Sequence, residues 1–239
     1  MVRKAVVTAG GLATRLRPLT EATNKHMLGL YDRPIIQHVI ETVVASGVTD
    51  ILVQLTNTFA QPVMQLLKSG EDFGCSIYYS YRPNGDSVAK QLAQARKFAN
   101  NQPFLLMLGD SFYQTALPSL GKPAPHMWVM PLQGFDDHTK YAEVTLSSDS
   151  ARVTSISTAV KTPITGLIQT GAWVFPPDVF ERAERLVRST QREVMVRHVV
   201  SEYIDEGRMR ATMLPPKSFL DLGTFEALHI ASSIMREHV

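Results

Sequence analysis

The sequence is short of several features that would each have pointed to a function. It holds one cysteine, Cys75, in 239 residues, so no internal disulfide can form. Cys75 falls in an apolar-looking strand, which reads as a buried, inert thiol rather than a nucleophile. No apolar run approaches the length of a membrane span, and the start, "MVRKAVVTAGG", is too short in its apolar part for a signal peptide. The expected location is therefore the cytoplasm, with no membrane partner. Neither sign of charge dominates. Lys plus Arg total 24 against 22 Asp plus Glu, a formal +2, which argues against a nucleic-acid footprint. The seven histidines show no metal-ligand spacing and read as surface or satisfied polar groups. There is no repeat, no low-complexity tract and no linker rich enough to separate domains.

What is present is ample core material, 44% hydrophobic residues, in an alternating pattern. "KAVVTA" (4–9) reads as a strand. Pro34 opens a helix with Ile35, Ile36, Val39, Ile40, Val43 and Val44 in a stripe and Gly47 placed to end it. "DILVQL" (50–55), a helix near 59–68 stopped by Gly70, and "CSIYYSY" (75–81) follow. Asp86 is placed to cap a helix that buries Val88, Leu92, Ala95 and Ala99, before the apolar run "FLLMLGD" (104–110). Continuous apolar strands between helices imply a parallel sheet covered on both faces. From 126 the rhythm changes to strands, "HMWVMPL", "YAEVTLS", "RVTSIST" and "TGLIQTGAWVF". Helices near 178–188 and 192–206 come next, the second with Val196, Val199, Val200, Tyr203 and Ile204 inward. A strand, "MRATML", and a helix from about 224 close the chain. The basic run "ERAERLVRSTQRE" reads as a solvated helix face with its loop. The expectation is one α/β domain over 1–239, with a nucleotide-type half at about 1–120 and a mixed half at about 121–239. Its site should lie at the carboxyl ends of the parallel strands.

Several positions there can carry chemistry. In "TAGGLATR", Gly10 and Gly11 follow a strand and let backbone N–H groups face a phosphate, with Arg15 as a planar donor. A tight turn with a surface arginine explains the same residues equally well. The segment is not a P-loop, since no "GK[ST]" follows, and Ala13 stands where a dinucleotide fingerprint needs glycine. Lys25 alone reads as a surface lysine. Asp110 ends a buried strand, where it could hold Mg²⁺ or cap the next segment. Asp221 in "FLDLGT" is similar, and the two acids can share a metal only if the fold joins them.

The order of the segments "AGGLATRLRPLT", "NKHMLGLYDRPIIQH", "LGDS", "VKTP", "TGAWVF" and "FLDLGT" resembles that of the sugar-1-phosphate nucleotidylyltransferases. The similarity is greatest to the glucose-1-phosphate thymidylyltransferase branch and runs from residue 3 to about 232. It implies a Rossmann-like, mostly parallel mixed sheet flanked by helices, of nucleotidyltransferase (GT-A-like) type. It implies transfer of a nucleoside monophosphate from a triphosphate to a sugar-1-phosphate, with release of pyrophosphate. By the same resemblance Gly10, Gly11, Ala13 and Thr14 wrap the nucleotide phosphates, Arg15 and Lys25 neutralise charge at the α-phosphorus and pyrophosphate, and Asp110 and Asp221 hold Mg²⁺. Lys161 of "VKTP" grips the acceptor phosphate, in a pocket that includes Ala142, Gly171 and Met195. Arg82 and Ser87 fall where the branch reads its base.

The chain departs from the family pattern where substrates are recognised. Ala13 replaces a loop glycine, which fits readily only if its φ is negative. Gly29 replaces the proline of "LLP". Val160 replaces the glutamate of "EKP", Ala142 the glycine of "FGVVE", and Met195 a further pocket glutamate, with Glu193 nearby. Arg82 replaces a glutamine that donates and accepts, and arginine only donates. These changes make an unusual acceptor, a modified sugar or a cyclitol phosphate, the expected substrate, with thymidine or uridine triphosphate as first donor. Two other readings stand beside this one. The first is a weakened homologue that binds nucleotide in a regulatory role. The second is a glycosyltransferase, a class that carries D-x-D where this chain has the single acid of "LGDS". The oligomeric state, homo-oligomer included, is left open. A last helix ending about four turns after Asp221 leads us to expect no separate end-product inhibition site.

Overall fold

The computed structural model describes residues 2–11, 13–56, 59–82, 88–132, 141–157, 165–189 and 194–237; the side chains of 82 and 88–91 lie outside that description. Strand β1 (Lys4–Ala9) leads into a 3-10 turn at Thr14–Leu16, helix α1 (Leu19–Ala22) and a second 3-10 turn at Lys25–Met27. A two-residue ladder, β2 (Gly29–Leu30) with β3 (Arg33–Pro34), precedes helix α2 (Ile35–Ala45). Then come β4 (Asp50–Thr56), α3 (Ala60–Leu67), β5 (Ser76–Arg82), α4 (Val88–Ala99), β6 (Phe104–Leu108) and β7 (Ser111–Tyr113). Four strands follow, β8 (His126–Pro131), β9 (Glu143–Leu146), β10 (Val153–Ser157) and β11 (Leu167–Phe175). Helices α5 (Val179–Ser189) and α6 (Val196–Asp205), strands β12 (Arg210–Met213) and β13 (Phe219–Asp221), and helix α7 (Phe225–Glu237) complete the chain. The class is α/β, a Rossmann-like, mostly parallel mixed sheet with flanking helices.

The chain divides into two compact units that interleave in sequence. One comprises Val2–Asp86, Leu106–Leu117 and Phe219–Val239, so the last helix belongs with the first strand and not with the segment before it. Its strands run β6-β1-β4-β5, with β4 parallel to both β1 and β5. Ala5, Val6, Val7 and Ala9 of β1 are all fully buried, as a strand covered on both faces requires. The α2 stripe is buried as expected except at Val44, which is half-buried, and Gly47 (φ 95) follows the helix end. The apolar run at 104–110 is interrupted after Leu108, because Gly109 N–H turns to donate to Thr8 O at 2.9 Å. Cys75 lies just before β5 and is half-buried, not inside the strand, with burial pushing its thiol pKa up.

The other unit comprises Ser87–Leu105 and Pro118–Ser218. Strand β8 pairs antiparallel with β11 and parallel with β12, while β9 pairs antiparallel with β10 and β11. Phe104 stacks on Phe180 at 5.5 Å and meets Phe175 at 6.5 Å in its core. Leu92, Ala95 and Ala99 of α4 are buried, as are all five expected residues of α6. The charged run on α5 is not uniformly solvated. Arg182 is 11% exposed, bonds Asp178, Glu202 and Glu206, and lies over the Tyr203 ring at 4.3 Å. The histidines also divide. His26, His38 and His198 have ring-nitrogen partners, whereas His126 is fully buried with neither ring nitrogen hydrogen-bonded.

Candidate active site

The first unit gathers the phosphate-handling candidates. Beyond β1, Gly10 is half-buried and Gly11 is exposed with φ 134, a conformation that only glycine adopts freely. Ala13 has φ 45 and ψ 44, so the negative φ that would suit alanine is not what the chain adopts. Left-handed backbone at a residue with a Cβ costs about 1–2 kcal/mol. It is held because Ala13 O accepts from Leu16 N and from Thr20 Oγ1, each at 3.0 Å, and Leu16 is fully buried. Thr14 and Arg15 then stand exposed on the following turn.

Lys25 is no surface lysine. Its side chain is 12% exposed and its ammonium is hydrogen-bonded to the Asp110 carboxylate, itself 18% exposed. The turn that carries Lys25 is capped by Asn24, whose side chain accepts from His26 N at 3.0 Å. Gly109 permits the approach of these segments, since a Cβ there would stand 2.6 Å from Thr8 O and 2.9 Å from His26 Cδ2.

Asp221 comes to Asp110 through the ribbon of β7 and β13. Asp221 pairs with Ser111 across that antiparallel ladder, and Leu222 N donates to Asp110 O at 2.9 Å. Two acids 111 positions apart therefore occupy one place, which neither acid's sequence context discloses. The two carboxyls titrate in opposite directions. Burial opposes the charge of Asp110, but Lys25 and His26 hold its pKa below the usual carboxylate value. Burial and the neighbouring Asp110 push the Asp221 carboxyl up, against weaker opposition from Lys25 and Arg15. Asp221 Oδ1 is buried without a hydrogen-bond partner. The Arg15 guanidinium closes the group, with Nη2 2.6 Å from where a Cβ on Gly223 would stand.

Among the described residues no three or more His, Cys, Asp or Glu side chains form a metal cage. Mg²⁺ does not ask for one. It binds through one or two carboxylates and completes its shell with water and substrate phosphates. Two adjacent carboxylates, one with a buried, unpartnered oxygen, fit that requirement.

A family model described as nucleotidyl transferase matches residues 4–238. The chain belongs to this family. A glucose-1-phosphate thymidylyltransferase from Neisseria meningitidis is 27% identical over 98% of this chain and 82% of its own length. Its counterpart from Mycolicibacterium smegmatis is 28% identical over the same shares. A Bacillus anthracis protein solved in complex with a sucrose superposes with a TM-score of 0.88 at 23% identity, covering 98% of this chain and 95% of that one.

The remaining candidates of this nucleotidyl transferase lie in its other unit or outside the described residues. Ala142 and Gly171 sit on adjoining segments, because Gln169 N donates to Ala142 O at 3.3 Å. Gly171 is buried (φ 72), where the β11–β8 register shifts between Gln169 and Trp173. Met195 is on a different element, half-buried at the start of α6, with its N–H donating to His198 Nδ1 at 3.0 Å. The side chain of Arg82, and Asp86, Ser87, Val160, Lys161 and Glu193 altogether, lie outside the described residues. Sequence reasoning missed Gly109 and Gly223. Both are single glycines within two residues of a candidate acid, in "LGDS" and "DLGT", a signal that was available. No helix among the described residues is long and apolar enough to cross a membrane.

Proposed function

We propose that this nucleotidyl transferase moves a nucleoside monophosphate from a triphosphate to the phosphate of a sugar-1-phosphate or a related cyclitol phosphate, giving pyrophosphate and a nucleotide-linked product. The observation that carries this reading is the single group formed by Arg15, Lys25, Asp110 and Asp221, with the Asp221 Oδ1 atom buried and unpartnered. An acceptor phosphate is already a competent nucleophile, so attack on the α-phosphorus needs no protein base. The work left to the protein is alignment and stabilisation of charge. Backbone N–H groups after β1 face the triphosphate, and Thr14 lies beside it. Arg15 and Lys25 neutralise charge that develops at the α-phosphorus and on departing pyrophosphate, each contributing about 2–4 kcal/mol. Asp110 and Asp221 would hold Mg²⁺, which when bound supplies Lewis-acid polarisation of phosphate oxygens.

Lys161 is assigned to the acceptor phosphate, with Ala142, Gly171 and Met195 in the pocket and Arg82 and Ser87 on the base. Val160 and Met195 stand where the family pattern has glutamates, so two polar groups expected to meet a common sugar's hydroxyls are missing, which favours an unusual acceptor. Thymidine or uridine triphosphate is the first donor, and the cytoplasm is the proposed compartment. The left-handed Ala13 favours a second reading, a weakened homologue that binds nucleotide without turning it over.

The test is a pyrophosphate-release screen of every common nucleoside triphosphate against sugar-1-phosphates and cyclitol phosphates, with and without Mg²⁺. Release that needs both an acceptor and the metal supports the transferase. Tight triphosphate binding with no release from any pair would establish the second reading instead.

A further inference from the structure

Glu143 is a carboxylate buried to 6% exposure in strand β9, outside the phosphate-handling group. A buried acid is expensive unless its oxygens are well supplied with donors. One oxygen, Oε1, is supplied three times. It accepts from Thr165 N, from Thr165 Oγ1 at 3.0 Å and from Gly166 N at 2.9 Å. The Thr165 hydroxyl, with one hydrogen to share, also lies 2.8 Å from Val144 O, and Gly166 O accepts from Leu132 N at 2.8 Å. Thr165 is exposed and Gly166 half-buried, so a packed core does not fix this turn. Its place is set by hydrogen bonds, and the charged acceptor is the strongest of them.

The position of the turn gives that clamp a consequence. Thr165 follows Lys161 by four residues, and Leu167 opens β11, the strand that carries Gly171. Glu143 itself follows Ala142 and pairs with Ile168 of β11. We infer that Glu143 is a positioning residue for the acceptor. Its carboxylate fixes the Thr165–Gly166 turn, and through it the start of β11 that leads to Gly171, so that acceptor binding depends on a side chain that does not touch the acceptor. This rests on the transferase reading above.

The test uses Glu143→Val, which suits a buried strand position but accepts nothing, and Glu143→Gln, which keeps an uncharged acceptor oxygen. Steady-state kinetics is run on each folded variant with the best substrate pair, alongside hydrogen exchange at the 165 and 166 amides. The expected result is an acceptor KM raised about tenfold in the valine variant and by less in the glutamine variant. The triphosphate KM stays unchanged, and amide exchange at 165 and 166 is faster. Equal changes in both KM values, or a lowered melting temperature with an unchanged acceptor KM, would leave Glu143 a structural residue and overturn the inference. If the valine variant does not fold, the glutamine variant carries the same comparison. A wild-type protein that transfers to no acceptor overturns the inference together with the reading it rests on, whereas an active wild type with insensitive variants overturns the inference alone.

Discussion

Arg15 occupies the space that a side chain at Gly223 would need. A Cβ at position 223 would stand 2.6 Å from Arg15 Nη2, 3.2 Å from its Cζ and 3.0 Å from Asp221 Oδ1. The nearest obstacle is the far end of a flexible side chain, which can move aside without unfolding anything. Gly223→Ala should therefore leave the melting temperature within a few degrees of wild type, as expected for under 1 kcal/mol. It should nonetheless lower kcat about 100-fold, by displacing the cation that the proposed function places against the transition state. Thermal melts and steady-state rates on the same preparation check this, and unchanged kcat would remove Arg15 from the account.

Asp221 gives a prediction of opposite sign for stability and for binding. Burial and the charge of Asp110 raise its folded-state pKa above the ordinary value. A raised acid binds more protons folded than unfolded, so its contribution to stability is lost as pH rises through the folded pKa. Above that folded value the ligand-free protein thus carries an unfavourably buried carboxylate. Asp221→Asn should melt higher than wild type there, with the difference shrinking toward pH 4, near the unfolded pKa. The same variant should lose Mn²⁺ binding measured by electron paramagnetic resonance. A lower melting point with retained Mn²⁺ affinity contradicts both halves.

Much of this was legible in the chain, for a physical reason. Strands such as β1 and β4 are continuous apolar runs, and α2 and α6 carry their stripes at helical spacing, so local pattern and burial coincide. The ribbon that joins the two acids is different. β7 and β13 are three residues each, too short for any period to register, and their pairing spans more than 100 positions. Arg182 misled because its charge suggests water, while three acidic partners and the Tyr203 ring compensate its burial. The backbone of Ala13 was posed as a condition by the sequence and answered only by the fold.

Ala13→Gly removes a Cβ from a left-handed position, relieving about 1–2 kcal/mol of strain, while the freer unfolded chain returns about 0.5–1 kcal/mol of it. Stability should rise slightly. The triphosphate KM should fall severalfold with the acceptor KM constant, because the proposed function assigns this loop to the nucleotide. Initial rates with each substrate varied in turn decide it, and an unchanged triphosphate KM would mean that the alanine loop is already fully competent.

His126 should make the protein acid-sensitive well above the carboxylate range. Its pKa is lowered to about 4, by burial first and then by Lys122 and Arg210. The unfolded chain, titrating near 6.5, binds the proton more readily, so stability declines as pH falls from about 6.5 to about 4, by up to about 3 kcal/mol. His126→Leu should flatten urea-denaturation stability over that interval. A slope that persists in the variant would assign the acid sensitivity to other groups.

The proposed reaction is one event, movement of the α-phosphorus of a triphosphate onto a phosphate oxygen of the acceptor at the Asp110–Asp221 centre. Phosphorus-31 NMR of the reaction with the best pair from the screen observes that event directly. The predicted spectrum shows a new diphosphate linkage joining nucleoside and acceptor, with free pyrophosphate in equal amount, and neither signal in Asp110→Ala. Release of a nucleoside diphosphate without pyrophosphate, or full turnover by the Asp110→Ala variant, would contradict it.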